Sequence, residues 1–245
     1  MPVVGDVLFD DEFVSESEDK IIAASKLFSG RSKDVYENII RFLYSGKLNY
    51  LFKATDEKDE IFNSFMQLSG NETYIDVGAY KGDTVYEYLK YTSGNSKRII
   101  AIEPDYKNYI KLKENCKLIK NTEFINAAVS DKVGETEFSS LGGRQSHIGK
   151  TGNYIQCITI DSLLTLTETE DYYIKIDAEG EEMNIISGAQ YIIKRCRPKM
   201  NTALYHKFSD LFEIPLKLNE LNPEYKFEIR HHPYIPAWDT NLYCI

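Results

Sequence analysis

The sequence predicts an α/β fold built on a mostly parallel sheet, and three observations carry that reading. From Thr73 onward short apolar runs alternate with amphipathic helical patterns, the order that covers a parallel sheet with helices on both faces. The first run passes straight into a glycine-containing turn, "IDVGAYKGDT", and then into a helical pattern. The last two runs are joined only by "HHPYIPAWDT", too short for a crossover helix, so an antiparallel strand belongs at or near the sheet edge.

The predicted strands are Thr73 to Val77, Arg98 to Ile102, Glu123 to Ala127, Tyr172 to Asp177, Lys199 to Tyr205, Lys226 to His231 and Asn241 to Ile245. Each is a short apolar or β-branched run bounded by turn residues. Helical periodicity is expected over Asp83 to Tyr91, Asp105 to Cys116, Glu181 to Arg195 and Ser209 to Leu221. Between Val133 and Asp161 the rhythm breaks into strand, polar loop and strand, a hairpin-like insertion. Ahead of the sheet, Ile21 to about Phe65 is helical. There "SKDVYENIIRFLYSGKL" predicts one helix with Ser32 or Asp34 near its start and Gly46 near its end. The acidic first twenty residues read as a solvated arm or as a lid over a substrate. The domain expectation is an arm and helical extension over residues 1–70 and the α/β domain over 71–245.

With 245 residues, 42% hydrophobic and 27% charged, the chain can fill one globular core. A formal charge of -9 argues against a generally basic nucleic-acid binder, which needs a concentrated Lys/Arg surface to displace counterions. Cys116, Cys157, Cys196 and Cys244 show no C-x-x-C spacing, and reduced thiols in a cytoplasm are the simplest account. The start of the chain is acidic where a signal peptide is basic, and no apolar run approaches the roughly 18 residues of a membrane span. A cytoplasmic protein without membrane insertion is expected.

In an open parallel sheet, ligands sit beyond the carboxyl ends of the strands, which places the turn after Asp76 at the natural site. Gly78 and Gly82 remove Cβ atoms there, and N–H groups at the helix start are available to a polar ligand. Glu103, 21 residues past Gly82, ends the second strand and is placed to accept ribose hydroxyls. Together these suggest an adenosine-containing cofactor. The turn reads G-A-Y-K-G and lacks the G-x-G-x-x-G spacing of a dinucleotide site, which weighs less against S-adenosylmethionine because it has no pyrophosphate. The bland alternative is that both glycines serve only a tight strand–helix connection.

The segments "YIDVGAYKGDT", "IEPDYKNYIKLKEN", "NAAVSDKVGETEF", "TIDSLL", "YIKIDAEGEEMNIISGA" and "YHKFSDLFEIPLKL" follow one another in an order and spacing that resembles the FkbM methyltransferase family, from about Thr73 to Ile245. The resemblance implies a class I methyltransferase Rossmann-like fold with a seven-stranded sheet, using S-adenosylmethionine and usually methylating oxygen. It also implies that Asp76, Gly78, Ala79 and Gly82 line the methionine side of the cofactor. Glu103 would hold the ribose, with Pro104 and Asp105 around it, and Asn126, Ala127 and Ala128 would border the adenine. Tyr80 departs from the smaller or amide residue usual in this turn.

For chemistry the informative stretch is "YIKIDAEGEEM". Asp177 ends its strand, and Glu179 points to the same side if the chain stays extended, which would set two carboxylates beside the transferable methyl. Glu181 and Glu182 read as helix-start acids. His206, after the fifth strand, is the candidate base for an acceptor hydroxyl, or else a satisfied strand-end histidine. Asp177, Glu179 and His206 are alternatively ligands for a divalent cation. Arg144, Ser146 and His147 in "GGRQSHIG" are candidate contacts to substrate or to the cofactor carboxylate, or a polar hairpin tip. His231, His232 and Trp238 are candidates for an acceptor wall, with ordinary edge packing as the alternative.

The leading expectation is O-methylation of a small-molecule or glycan hydroxyl, such as a sugar of a bacterial surface polysaccharide. The competing readings are a nucleotide-dependent oxidoreductase and a non-catalytic nucleoside-binding scaffold whose acidic arm and helical front recruit a partner.

Overall fold

The computed structural model describes residues 8–139, 147–148, 153–163 and 170–245, and the side chains of 139, 147, 148 and 153 fall outside that description. The helices are α1 (Asp11–Ser25), α2 (Gly30–Ser45), α3 (Leu48–Ala54), α4 (Lys58–Ile61), α5 (Asp83–Tyr91), α6 (Tyr106–Cys116), α7 (Ile160–Leu163), α8 (Glu182–Ser187), α9 (Gln190–Cys196) and α10 (Asp210–Leu221). The strands are β1 (Thr73–Val77), β2 (Arg98–Ile102), β3 (Thr122–Ile125), β4 (Ala128–Val129), β5 (Gly134–Ser139), β6 (His147–Ile148), β7 (Asn153–Ile158), β8 (Tyr172–Ile176), β9 (Lys199–Ala203), β10 (Phe227–His231) and β11 (Thr240–Cys244).

Seven strands form one sheet in the order β10-β11-β9-β8-β1-β2-β3. β1 pairs in parallel with both β2 and β8, and β2 with β3, whereas β10 and β11 run antiparallel at one edge. Every residue of β1 and of β8 is buried, as expected of central parallel strands covered on two faces. This is the mostly parallel α/β sheet that the strand–helix alternation predicts. By contact the chain divides into two compact units: Gln67–Met200, and Met1–Met66 together with Asn201–Ile245.

Within Gln67–Met200, the rings of Tyr74, Tyr88 and Tyr173 stack at 4.4 and 4.9 Å and anchor α5 over the sheet. The insertion is a second sheet: β5 runs antiparallel to β7, and β4 pairs in parallel with β7. The single helix predicted over Glu181 to Arg195 is two helices. At Gly188, between them, an added Cβ would stand 2.1 Å from the Ser130 carbonyl oxygen. The Asp161 carboxylate then accepts the Tyr191 and Ile192 N–H groups at 2.9 and 3.0 Å, capping α9 from another segment.

In the other unit, α2 starts at Gly30, earlier than predicted, and ends as expected at Gly46, whose left-handed backbone (φ 68) lets its N–H reach the Phe42 carbonyl at 2.7 Å. Ser32 is not the cap. It is buried, accepts the Ile229 N–H at 3.0 Å and bonds Glu228, tying α2 to β10. The acidic start also differs from a solvated arm: from Asp10, which caps α1 by accepting the Phe13 N–H, the chain is helical. Phe9 and Phe13 pack on Phe208 at 5.2 and 6.1 Å, with Phe212 of α10 beyond. The first seven residues lie outside the described ones.

The acceptor-wall expectation needs correction for the two histidines. His231 and His232 are buried: His232 Nδ1 donates to the Asp56 carbonyl and Nε2 accepts the Tyr243 hydroxyl at 2.8 Å. Because the Thr240 hydroxyl donates to the Ala237 carbonyl, it accepts from His231 Nδ1, leaving His231 Nε2 buried without a hydrogen-bond partner. Both side chains are thus enclosed at the end of β10 and just past it. Trp238 is half-buried and stacks on Tyr234 at 5.6 Å. The Tyr234 ring helps Leu51, Phe52, Thr55, Pro233 and Ile235 line a cavity of about 500 Å³.

Burial pushes the His231 imidazole down to about 4, with the neighbouring His232 acting in the same direction. Between pH 6.5 and 4 the unfolded chain therefore takes up a proton that the fold refuses, and stability falls across that window by up to about 3 kcal/mol. Thermal unfolding from pH 7 to 4 is expected to show a steeper loss in the wild type than in His231→Gln.

Candidate active site

The ends of β1, β2 and β8 converge on the turn that follows Asp76. Gly78 has φ 77, and a Cβ there would stand 2.0 Å from the Asp177 carbonyl oxygen, so the two backbones touch where a side chain has no room. Gly78 and Ala79 both donate their N–H groups to the Ile102 carbonyl, at 3.1 and 3.0 Å. The Tyr80 N–H goes to Glu103 at 2.9 Å and the Gly82 N–H to the Ala79 carbonyl at 2.8 Å. At Gly82 (φ 93) a Cβ would lie 2.4 Å from the Cys116 sulfur, so this glycine seats α6 against the turn.

The expectation of available N–H groups concerns the start of α5, whereas these bonds involve the turn that precedes it. The amides of residues 78, 79, 80 and 82 are all engaged within the protein, so they form no cradle for an anion. A pyrophosphate would need that cradle. A cofactor recognised through its hydroxyls and its adenine does not, and the residues expected to serve it lie one strand over.

Glu103, at the end of β2, is buried (6% exposed). One carboxylate oxygen accepts the Tyr80 N–H and the other the Asp105 N–H, each at 2.9 Å, leaving lone pairs on both oxygens for further donors. Burial pushes its carboxyl up to about 7, against the pull of those two N–H bonds. Asp105 caps α6 by accepting the Asn108 N–H at 3.0 Å. Asn126 donates to the carbonyls of Glu103 and Pro104 at 2.8 and 3.0 Å, which fixes the β2 turn from the end of β3. Ala127 and Ala128, which follow it, are buried. The residues expected around ribose and adenine are thus brought together by hydrogen bonds between the strand ends.

Asp76 differs from a surface ligand. It is 0% exposed and turned inward, with Oδ2 accepting the Thr84 hydroxyl and Oδ1 3.4 Å from Lys175 Nζ. Lys175 also donates to the Gly78 carbonyl at 3.0 Å. Burial pushes the Asp76 carboxyl up, while Lys175 and Thr84 oppose it. Burial alone would pull Lys175 down, and the carboxylates of Asp76, Asp177 and Asp83 outweigh it. The sequence reading passed over Lys175, although a charged residue inside the run "YYIKI" is the signal that could have found it.

Asp177 follows β8 with its side chain 35% exposed. Glu179 does not share its side through an extended chain, because Glu179 (φ 51) and Gly180 (φ 97) reverse the backbone. The second carboxylate is Glu182, which is buried, accepts the Ala178 N–H at 2.8 Å and brings an oxygen within 4.8 Å of one on Asp177. His206 belongs to the other unit, is buried, and has its ring 4.3 Å from that of Tyr205. Arg144 and Ser146 lie outside the described residues; His147 lies in β6, and its side chain falls outside the description.

A profile described as the Methyltransferase FkbM domain matches residues 76–234. The chain belongs to the FkbM methyltransferase family. Its α/β domain is therefore an S-adenosylmethionine-dependent methyltransferase domain. Among solved structures, the methyltransferase FkbM from Methylobacillus flagellatus KT is similar over 96% of this chain, with a TM-score of 0.79 and 20% identity. This chain spans 60% of the length of that structure. Aeropyrum pernix fibrillarin with natively bound S-adenosyl-L-methionine has a TM-score of 0.44 and 13% identity, over 73% of this chain and 68% of its own. Precorrin-6y C5,15-methyltransferase from Geobacter metallireducens GS-15 has a TM-score of 0.43 and 15% identity, over 78% of this chain and 90% of its own. A comparison with curated protein sequences gives no match. No helix among the described residues is long and apolar enough to cross a membrane.

In this FkbM chain the departure at Tyr80 has a conformational reading. Tyr80 sits at φ 48, a left-handed backbone in which glycine or asparagine is relaxed and a bulky residue is strained. Tyr80→Asn is expected to raise stability by about 1 kcal/mol, read as an increased thermal midpoint.

Proposed function

We propose that this FkbM domain methylates a hydroxyl oxygen of a small molecule or glycan in a cytoplasm, with a sugar destined for a bacterial surface polysaccharide as the preferred acceptor. The observation that carries the cofactor half is the buried Glu103 carboxylate beside a turn whose amides are already engaged. Such a site recognises hydroxyls and disfavours a pyrophosphate, which also weighs against the oxidoreductase reading. The family match to residues 76–234 supports taking 71–245 as the catalytic domain and 1–70 as an extension.

S-adenosylmethionine, when bound, supplies a methyl group on a sulfonium that leaves as a neutral thioether. In the proposal Glu103 accepts the ribose hydroxyls, Asn126, Ala127 and Ala128 border the adenine, and the turn from Gly78 to Gly82 seats the methionine part. Asp177, the more exposed carboxylate, orients the acceptor hydroxyl, and His206 takes its proton as the new O–C bond forms. Trp238 offers an aromatic face to a sugar ring. A divalent cation on Asp177 and Glu182, acidifying the hydroxyl, is a second reading that their paired oxygens favour.

Because the ionised Glu103 is the acceptor, affinity for S-adenosylhomocysteine is expected to weaken as pH falls through about 7. The limiting slope is about tenfold per pH unit, measured by calorimetry, and Glu103→Gln should bind weakly at every pH with a flat profile.

Transfer of labelled methyl from S-adenosylmethionine to a panel of sugars is expected to place label on oxygen. Label on nitrogen alone would overturn the acceptor assignment, and absence of any turnover alongside tight cofactor binding would favour the nucleoside-binding scaffold. His206→Ala is expected to lower turnover by roughly 10²–10⁴-fold with little change in S-adenosylhomocysteine affinity. If chelation of divalent ions abolishes turnover, the cation reading replaces the histidine base.

A further inference from the structure

We infer that Lys175 is a positioning residue for the cofactor turn, acting through Asp76 and the Gly78 carbonyl. Lys175 lies in β8, beside β1, with its side chain only 7% exposed. Its contacts run to the neighbouring strand: Asp76 at 3.4 Å, the Gly78 carbonyl at 3.0 Å and the Val77 carbonyl at 3.5 Å, with Asp177 at 3.8 Å. One cation therefore touches the last residues of β1, the first residue of the turn and the first residue after β8.

The arrangement explains why a buried carboxylate is kept at Asp76. A charged group taken out of water is unfavourable unless paired, and an ion pair of this kind is rarely the most stabilising filling for a core. What the pair does here is directional. The Gly78 carbonyl is held by Lys175 while the Gly78 N–H is held by Ile102 of β2, so the peptide groups on both sides of Gly78 are fixed from opposite neighbouring strands. Thr84, in the first turn of α5, binds the second Asp76 oxygen and ties the far end of the turn to the same pair. Each end of the "GAYKG" segment is thereby referred to Asp76, and Lys175 opposes the burial that pushes the Asp76 carboxyl up. Lys175 needs no contact with the cofactor for this role.

The inference rests on S-adenosylmethionine use by this domain, and the test separates the two. Calorimetric titration with S-adenosylhomocysteine and thermal unfolding are compared for the wild type, Lys175→Met, Asp76→Asn and Asp76→Asn/Lys175→Met. Lys175→Met strands a buried carboxylate, and affinity is expected to fall by about tenfold or more. The double variant, which removes both charges, is expected to bind more tightly than Lys175→Met, a rescue that a purely space-filling lysine would not give. If Lys175→Met fails to fold while the double variant folds and binds, the coupling is supported in the same way. Lys175→Met that loses thermal stability but binds like the wild type would overturn the inference, as would a double variant no better than the single one. A wild type that does not bind S-adenosylhomocysteine would instead overturn the cofactor reading itself.

Discussion

The close crossing of Gly78 and Asp177 is the constraint on which the site depends. A Cβ at Gly78 would come within 2.0 Å of the Asp177 carbonyl oxygen, so β1 and β8 can finish side by side only with glycine at that place. The parallel register carries the pairing up to that point, with Val77 opposite Ile176, and the Asp177 N–H continues it by donating to the Val77 carbonyl. Two stretches almost a hundred residues apart, "IDVGAYKG" and "KIDAEG", thus become one surface, by backbone contact and by the Lys175 side chain. Any larger residue at 78 would separate the cofactor turn from the acidic residues that follow β8.

That crossing also decides what sort of ligand the turn can hold. A glycine turn at a strand–helix junction is commonly read as an anion site because its N–H groups point outward. Here they point inward, two to Ile102 and one to Glu103, and the turn is stiffened by the neighbouring strand. Under the proposed function, recognition shifts from amide donors to a carboxylate acceptor, and the complementary ligand from a phosphate to a group that carries hydroxyls. In that reading Glu103 would serve both tasks, since the same carboxylate that bonds the turn keeps lone pairs for a ligand.

Much of the fold was legible because the periodicities are strong. β1 and β2 were read at the residues where the structure has them, and the other strands of the main sheet to within a residue or two. The antiparallel edge followed from the shortness of one connection. What failed was local and has local causes. The break at Gly188 arises from the approach of Ser130, a contact invisible to helical periodicity. The charged start of α1 hid a face carrying Phe13, because acids on one side of a helix do not prevent burial of the other. His231 and His232 look like functional residues by type, and only their burial and their partners assign them to packing.

The misassigned acid is the most instructive of these. Alternation along an extended strand would pair Asp177 with Glu179, but alternation ends with the strand, and "AEG" is a reversal in which Glu179 and Gly180 both take positive φ. A reversal brings the fourth residue after Ala178 back toward it. Glu182 therefore accepts the Ala178 N–H, closes the loop and arrives near Asp177 from the opposite direction. Its place in the first turn of α8 gives it the helix-start role read from sequence, and the same placement sets it beside Asp177, where the extended-chain argument puts Glu179. The glycine that follows Glu179 is the residue that separates these outcomes, since it marks where a period of two stops applying.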